Sequence, residues 1–134
     1  MYKLSHGEAI SLGMLASLKL SNKYYGLDIV TLTSLNEGTP VSLIEAQAAN
    51  KPVVSTNVGG IGDIIIENET GLLADKKDFV DFTNQLKKII GNKALMDSMG
   101  NNGYDFVNNK FSYSRLVGDM NILYKKLMAE NEIN

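Results

Sequence analysis

The feature that most restricts the fold of this chain is a pair of short β-branched, apolar runs on either side of a helix-forming segment. Residues 28–33 read Asp-Ile-Val-Thr-Leu-Thr, a composition that favours a buried strand. A turn-rich stretch, Ser34 to Thr39, comes next. Thr39 suits a helix N-cap and Pro40 the first helical position, so a helix is expected from there to about Asn50. Pro52 to Thr56 reads as a second strand. Strand, helix and strand within about 30 residues form a βαβ unit, which implies parallel pairing and a right-handed crossover.

The rest of the chain extends this pattern. Gly59, Gly60 and Gly62 mark a flexible loop, Asp63 to Glu67 a short helix, Asn68 to Gly71 a turn, and Leu72 to Ala74 a short strand. Helices are expected over about 77–90, 93–108 and 113–129. In the first of these, Phe79, Val80, Phe82, Leu86, Ile89 and Ile90 are expected to face inward. In the last, Leu116, Val117, Met120, Leu123, Tyr124 and Leu127 recur at helical spacing, and Ser112 or Ser114 can cap it. At the front, residues 5–23 read as a helix opened by Ser5-x-x-Glu8, a capping-box pattern, and ended by Gly26. The expected fold class is α/β, with a small parallel sheet of about three strands and helices outside it. The organisation read is a helical segment at 1–26, an α/β body at 27–129 and a frayed tail at 130–134. So small a sheet leaves an edge open to pairing with another chain, and a homo-oligomer is one expected consequence.

Composition removes several classes of function. The net charge of −2 over 134 residues offers no basic excess for a nucleic-acid backbone. There are no cysteines and one histidine, His6, so disulfides, thiolate metal sites and two-histidine sites from one copy are excluded. No run reaches the roughly 18 apolar residues of a membrane span, and the front lacks a signal-peptide layout. A cytoplasmic location is the expectation.

The stretch that can carry chemistry is Asn36-Glu37-Gly38-Thr39-Pro40-Val41-Ser42-Leu43-Ile44-Glu45-Ala46. Glu37 lies in the loop at the carboxyl end of a parallel strand, where open α/β sheets bind ligands. Gly38 permits close backbone approach, and the helix opening at Thr39-Pro40 offers N–H groups and a positive dipole end to phosphates. Glu45 falls in the second turn of that helix. Carboxylates beside a phosphate site suit sugar hydroxyls; Glu45 on a ribose and Glu37 on a hexose would fit. Spacing alone leaves a plainer alternative open, with Glu37 a loop carboxylate and Glu45 a solvated helix residue. Likewise, Gly59 and Gly60 either permit a tight turn or border the ligand. Lys19, Lys23, Lys87 and Lys88 read as solvated helix faces.

Residues 28–128 resemble the C-terminal domain of family 4 glycosyltransferases, which have the GT-B fold of two facing Rossmann-like domains. The matching residues are Asp28-Ile29-Val30, Ser34, Glu37-Gly38-Thr39-Pro40, Glu45-Ala46, Pro52-Val53-Val54, Val58-Gly59-Gly60, Thr70-Gly71-Leu72-Leu73, Phe111-Ser112 and Tyr124. The resemblance implies that Glu37 contacts a donor sugar, that the backbone of Gly38 to Val41 approaches the sugar and diphosphate, that Gly59 and Gly60 border the site, and that Glu45 holds the ribose. It implies glycosyl transfer from a nucleotide diphosphate sugar, as substrate, with retention at the anomeric carbon and with no cofactor or metal. The family's diphosphate-clamping Arg and Lys and its N-terminal domain have no counterpart here. The expectation is therefore weak donor binding and no transfer by this chain alone.

Residues 4–20 resemble a different family. Leu-Ser-His-Gly-Glu-Ala-Ile-Ser-Leu-Gly-Met is similar to the H-G-E-A-x-x-x-G-M helix of 3-dehydroquinate synthases, where the matching histidine is one ligand of a divalent metal. A lone His6 falls short of the three protein ligands a catalytic zinc needs, so no metal site is expected. Two families meeting near Tyr25-Gly26-Leu27-Asp28 imply a chimera.

Overall fold

The computed structural model describes Gly26 and residues 28–131. The front helix, its likeness to dehydroquinate synthases and His6 lie outside the described residues. Three strands, β1 (Val30–Leu32), β2 (Val53–Thr56) and β3 (Gly71–Ala74), form one sheet in the order β1-β2-β3. Both pairings are parallel, with Val30 opposite Val53 and Val53 opposite Gly71. The expected α/β class with a small parallel sheet and flanking helices is what the molecule has.

Successive strand residues point to opposite faces, and each face has its own core. On one side Val53 and Leu73 pack with Leu43, Ala46, Val58, Ile61, Ile64 and Ile65; on the other Val54 and Leu72 pack with Ile89 and Met99. β2 and β3 are buried at every position, whereas β1 is only half-buried. Burying each such aliphatic side chain stabilises the fold by about 1.5–3 kcal/mol. In β3, Gly71 is demanded by close approach, since a Cβ there would lie 2.5 Å from the Val53 carbonyl oxygen.

Helix α1 (Val41–Ala48) covers the first face. It starts one residue later than Pro40 and is not capped by Thr39: Pro40 occupies the cap position with φ −71° and ψ 102°, and no side chain caps the helix. Proline explains this. Its own backbone is extended, so the helix begins only at Val41; its ring offers no N–H and no side-chain acceptor, and its carbonyl oxygen accepts from Leu43 N at 3.1 Å.

The glycines expected in a loop belong to regular structure: the helix expected at 63–67 forms earlier, as a 3₁₀ turn over Gly59–Asp63. Ile61, Ile64 and Ile65 are anchored in the core, and buried Gln47 of α1 donates through Nε2 to the Ile64 carbonyl at 2.8 Å. Those anchors draw the chain into a turn directly after β2.

Helices α2 (Phe79–Ile90), α3 (Lys93–Lys110) and α4 (Tyr113–Asn131) follow. Asp78 caps α2 by accepting from Val80 N and Asp81 N, and Asn92 caps α3 by accepting from Leu95 N. Ser112 Oγ accepts from Arg115 N at 3.4 Å at the start of α4, as expected. Only Phe82, Leu86 and Ile89 of α2 pack on the sheet. Phe79, Val80 and Ile90, expected inward, are 80%, 71% and 61% exposed. A helix laid on one side of so narrow a sheet buries a single i, i+4, i+7 stripe, and the flanking apolar positions stay in water. Every residue from 113 to 130 is exposed, so the apolar stripe of α4 has no partner among the described residues. No helix among the described residues is long and apolar enough to cross a membrane.

Candidate functional site

Because the strands are parallel, the loops leaving β1 and β2 emerge at the same end of the sheet, and the structure locks them together. Ser55 Oγ donates to the Leu32 carbonyl at 3.1 Å and Thr56 Oγ1 to the Ser34 carbonyl at 2.6 Å. Gly60 N–H donates to the carbonyl oxygens of Glu37 and Gly38 at 3.3 and 3.1 Å.

This contact decides what the paired glycines do. Gly59 has φ +54°, and a Cβ on it would sit 1.7 Å from the Glu37 carbonyl oxygen; a Cβ on Gly60 would sit 2.3 Å from that of Gly38. Both are glycine because the backbone of one loop lies directly on the backbone of the other. Glu37 is half-buried, and its Oε1 accepts from Ser34 Oγ at 2.5 Å. Gly38, Thr39 and Val41 are exposed beside it, and Pro40 is buried. The first turn of α1, lacking a side-chain cap, presents its amide end at this rim, an arrangement that attracts anions.

Glu45 lies a turn further along α1 and is not the solvated residue that spacing alone allowed. It is 5% exposed, and neither carboxylate oxygen has a hydrogen-bond partner among the described residues. Burial pushes its carboxyl group up from the ordinary value, since a desolvated carboxylate without donors is disfavoured in its charged form. An unpaired buried acceptor needs a partner, and adjacent hydroxyl groups of a ligand are suitable donors.

The sequence-expected residues therefore fall into two groups. Glu37, Gly38, Gly59 and Gly60 are joined by direct contacts, and Thr39, Pro40, Val41 and Glu45 follow from Gly38 into α1. The sequence reading named Ser34 only as part of the family resemblance and gave no role to the hydroxyls of Ser34, Ser55 and Thr56. Ser34-x-x-Glu37 has the same spacing as the capping-box pattern noted at Ser5 and Glu8, so a signal was there. Lys88 Nζ donates to Asn68 Oδ1 at 3.1 Å on the surface. Among the described residues no three potential metal ligands cluster.

A parallel α/β layer whose strand-end loops converge on a helix N-terminus defines a Rossmann-like ligand-binding body. The chain belongs to a known family of this kind: the model of the glycosyl transferases group 1 family matches residues 10–106. That match begins forward of residue 28, inside the stretch that resembles dehydroquinate synthases. A capsular polysaccharide biosynthesis glycosyltransferase, CapM, of Staphylococcus aureus is 32% identical over 109 residues, 81% of this chain and 29% of its own length. Among solved structures, sucrose-phosphate synthase from Thermosynechococcus elongatus superposes with a TM-score of 0.73 at 29% identity, covering 84% of this chain and 28% of that one. Anabaena HepE in complex with UDP superposes with a TM-score of 0.72 at 17% identity, covering 90% and 37%, a likeness of fold. The matches span between 18% and 32% of the length of these curated relatives.

Proposed function

We propose that this chain is the donor-binding part of a retaining glycosyltransferase and holds a nucleoside diphosphate sugar through the Glu37-x7-Glu45 pair. The observation that carries the reading is Glu45, a buried carboxylate with no partner among the described residues, close behind an uncapped helix start. In this reading the ribose diol donates to Glu45, the diphosphate lies against the backbone of Gly38 to Val41, where Gly38, Thr39 and Val41 carry N–H donors and Pro40 carries none, and Glu37 accepts from a sugar hydroxyl, with Gly59 and Gly60 bordering the sugar. Transfer needs no cofactor or metal in this scheme; preorganised donors around the diphosphate stabilise the leaving group. The basic clamp and the acceptor half would come from elsewhere, so this chain alone binds weakly and does not turn over.

Calorimetric titration with UDP, GDP and their sugar conjugates tests this. UDP is the first nucleotide to try, because HepE, of the same fold, was solved with it. The expected result is binding that Glu45→Ala weakens at least tenfold, about 1.4 kcal/mol. A folded protein with no affinity at millimolar ligand, or one indifferent to Glu45→Ala, overturns the reading. A folded chimera without selected activity, held as an intertwined oligomer, then leads, and its size in solution decides.

A further inference from the structure

Glu37 is not held by its own loop alone. The Thr56 hydroxyl, at the carboxyl end of the buried strand β2, donates to the Ser34 carbonyl at 2.6 Å. The Ser34 hydroxyl in turn donates to Glu37 Oε1 at 2.5 Å. From the other side, Gly60 N–H grips the Glu37 and Gly38 carbonyls. The backbone of Glu37 is thus fixed by the turn that follows β2, and its carboxylate by Ser34, itself tied to the end of β2.

We infer that Ser34 is a positioning residue that sets the side-chain rotamer of Glu37 and occupies one of its two oxygens, leaving the other directed to the donor sugar. This rests on the reading of Glu37 as the sugar-contacting carboxylate. A long glutamate side chain on a half-exposed loop samples several rotamers, and a ligand that selects one must overcome that freedom. A hydrogen bond made before the ligand arrives removes the loss from the binding step. Oε1, already accepting from Ser34, is also less available to water, so the recognition falls on Oε2.

A purely structural role for Ser34, bracing the turn, predicts something different. Its backbone carbonyl, not its hydroxyl, receives the Thr56 bond. Ser34→Ala therefore keeps the tie from β2 and removes only the contact with the carboxylate. A structural hydroxyl would affect nucleotide and nucleotide sugar alike, or neither; a positioning hydroxyl affects the sugar alone.

The experiment uses the full chain and three proteins: the native sequence, Ser34→Ala and Ser34→Thr. Side-chain three-bond couplings of Glu37, measured without ligand, should report one rotamer in the native protein, averaging in Ser34→Ala, and recovery in Ser34→Thr. UDP, GDP, UDP-glucose and GDP-mannose are then titrated. The preference for a sugar conjugate over its own diphosphate should fall about tenfold in Ser34→Ala and return in Ser34→Thr, with affinity for the diphosphate unchanged. Averaged couplings in the native protein, or couplings indifferent to Ser34→Ala, overturn the inference. Equal weakening of diphosphate and conjugate overturns it also, in favour of the structural role. Absence of any nucleotide binding by the native chain sinks the proposed function and the sugar role together. Native binding that ignores Ser34 sinks the inference alone.

Discussion

Two residues show opposite uses of close packing at the site. Gly59 is a backbone necessity: φ +54° and a carbonyl oxygen 1.7 Å from where a Cβ would be leave no room for another residue. Gly59→Ala should destabilise the protein by about 1–3 kcal/mol, read as a lower urea midpoint, and should separate the two loops. Glu45 is instead a liability of the ligand-free protein. Its carboxyl group is raised above the ordinary 4.5 by burial. The folded state therefore keeps a proton that the unfolded state has released, and stability falls as pH rises from the unfolded value through the folded one. Glu45→Gln should stabilise the protein at pH 7 by on the order of 1 kcal/mol and have little effect near pH 4. Thermal unfolding across that range checks it, and an equal effect at both ends would refute the argument. A residue that weakens the fold and remains buried fits a binding role better than a packing one.

At the scale of elements, the helices divide by what they touch. Helix α3 lies against the end of α1 because two glycines allow it: a Cβ at Gly100 would stand 2.3 Å from the Asn50 carbonyl oxygen, and one at Gly103 would stand 3.1 Å from Gln47 Cγ. Helix α4 carries a glycine of another kind, with nothing within 4 Å of a Cβ at Gly118. Gly100→Ala should cost about 1–3 kcal/mol by overpacking. Gly118→Ala should instead raise helix content through propensity worth up to about 1 kcal/mol without lowering the urea midpoint. Circular dichroism with urea denaturation distinguishes the two, and the same direction of change in both variants would contradict the packing described.

Over the whole molecule, stability should follow burial. The two cores meet across β2 and β3, every residue of which is buried, while residues 113–130 are all exposed. Amide exchange should be slowest in β2 and β3, intermediate in α1 and α3, and fastest in α4, where opening exposes no core. Protection in α4 equal to that of β2 would mean that its apolar face is covered in solution. Among the described residues the sheet ends at half-buried β1.

The amino-acid sequence by itself determined the alternation of strands and helices, the parallel sheet and the family, because β-branched runs, helical spacing and ordered motifs are local properties of the chain. Ser112 as a cap was legible for the same reason. What tertiary structure decided was everything that depends on a neighbour distant in sequence. Asp63 to Glu67 looked helical until Ile61, Ile64 and Ile65 were drawn into the core from an earlier turn. Phe79, Val80 and Ile90 matched an inward periodicity, but the sheet beneath α2 is too narrow to cover them. Glu45 could be read as solvated until its surroundings proved closed. The glycines at 59 and 60 had two meanings until the Glu37 and Gly38 carbonyls were found against them. In each case the deciding quantity is what a group meets only after folding, a backbone for the glycines and a covering layer or its lack for the side chains, and no pattern of neighbouring residues encodes that.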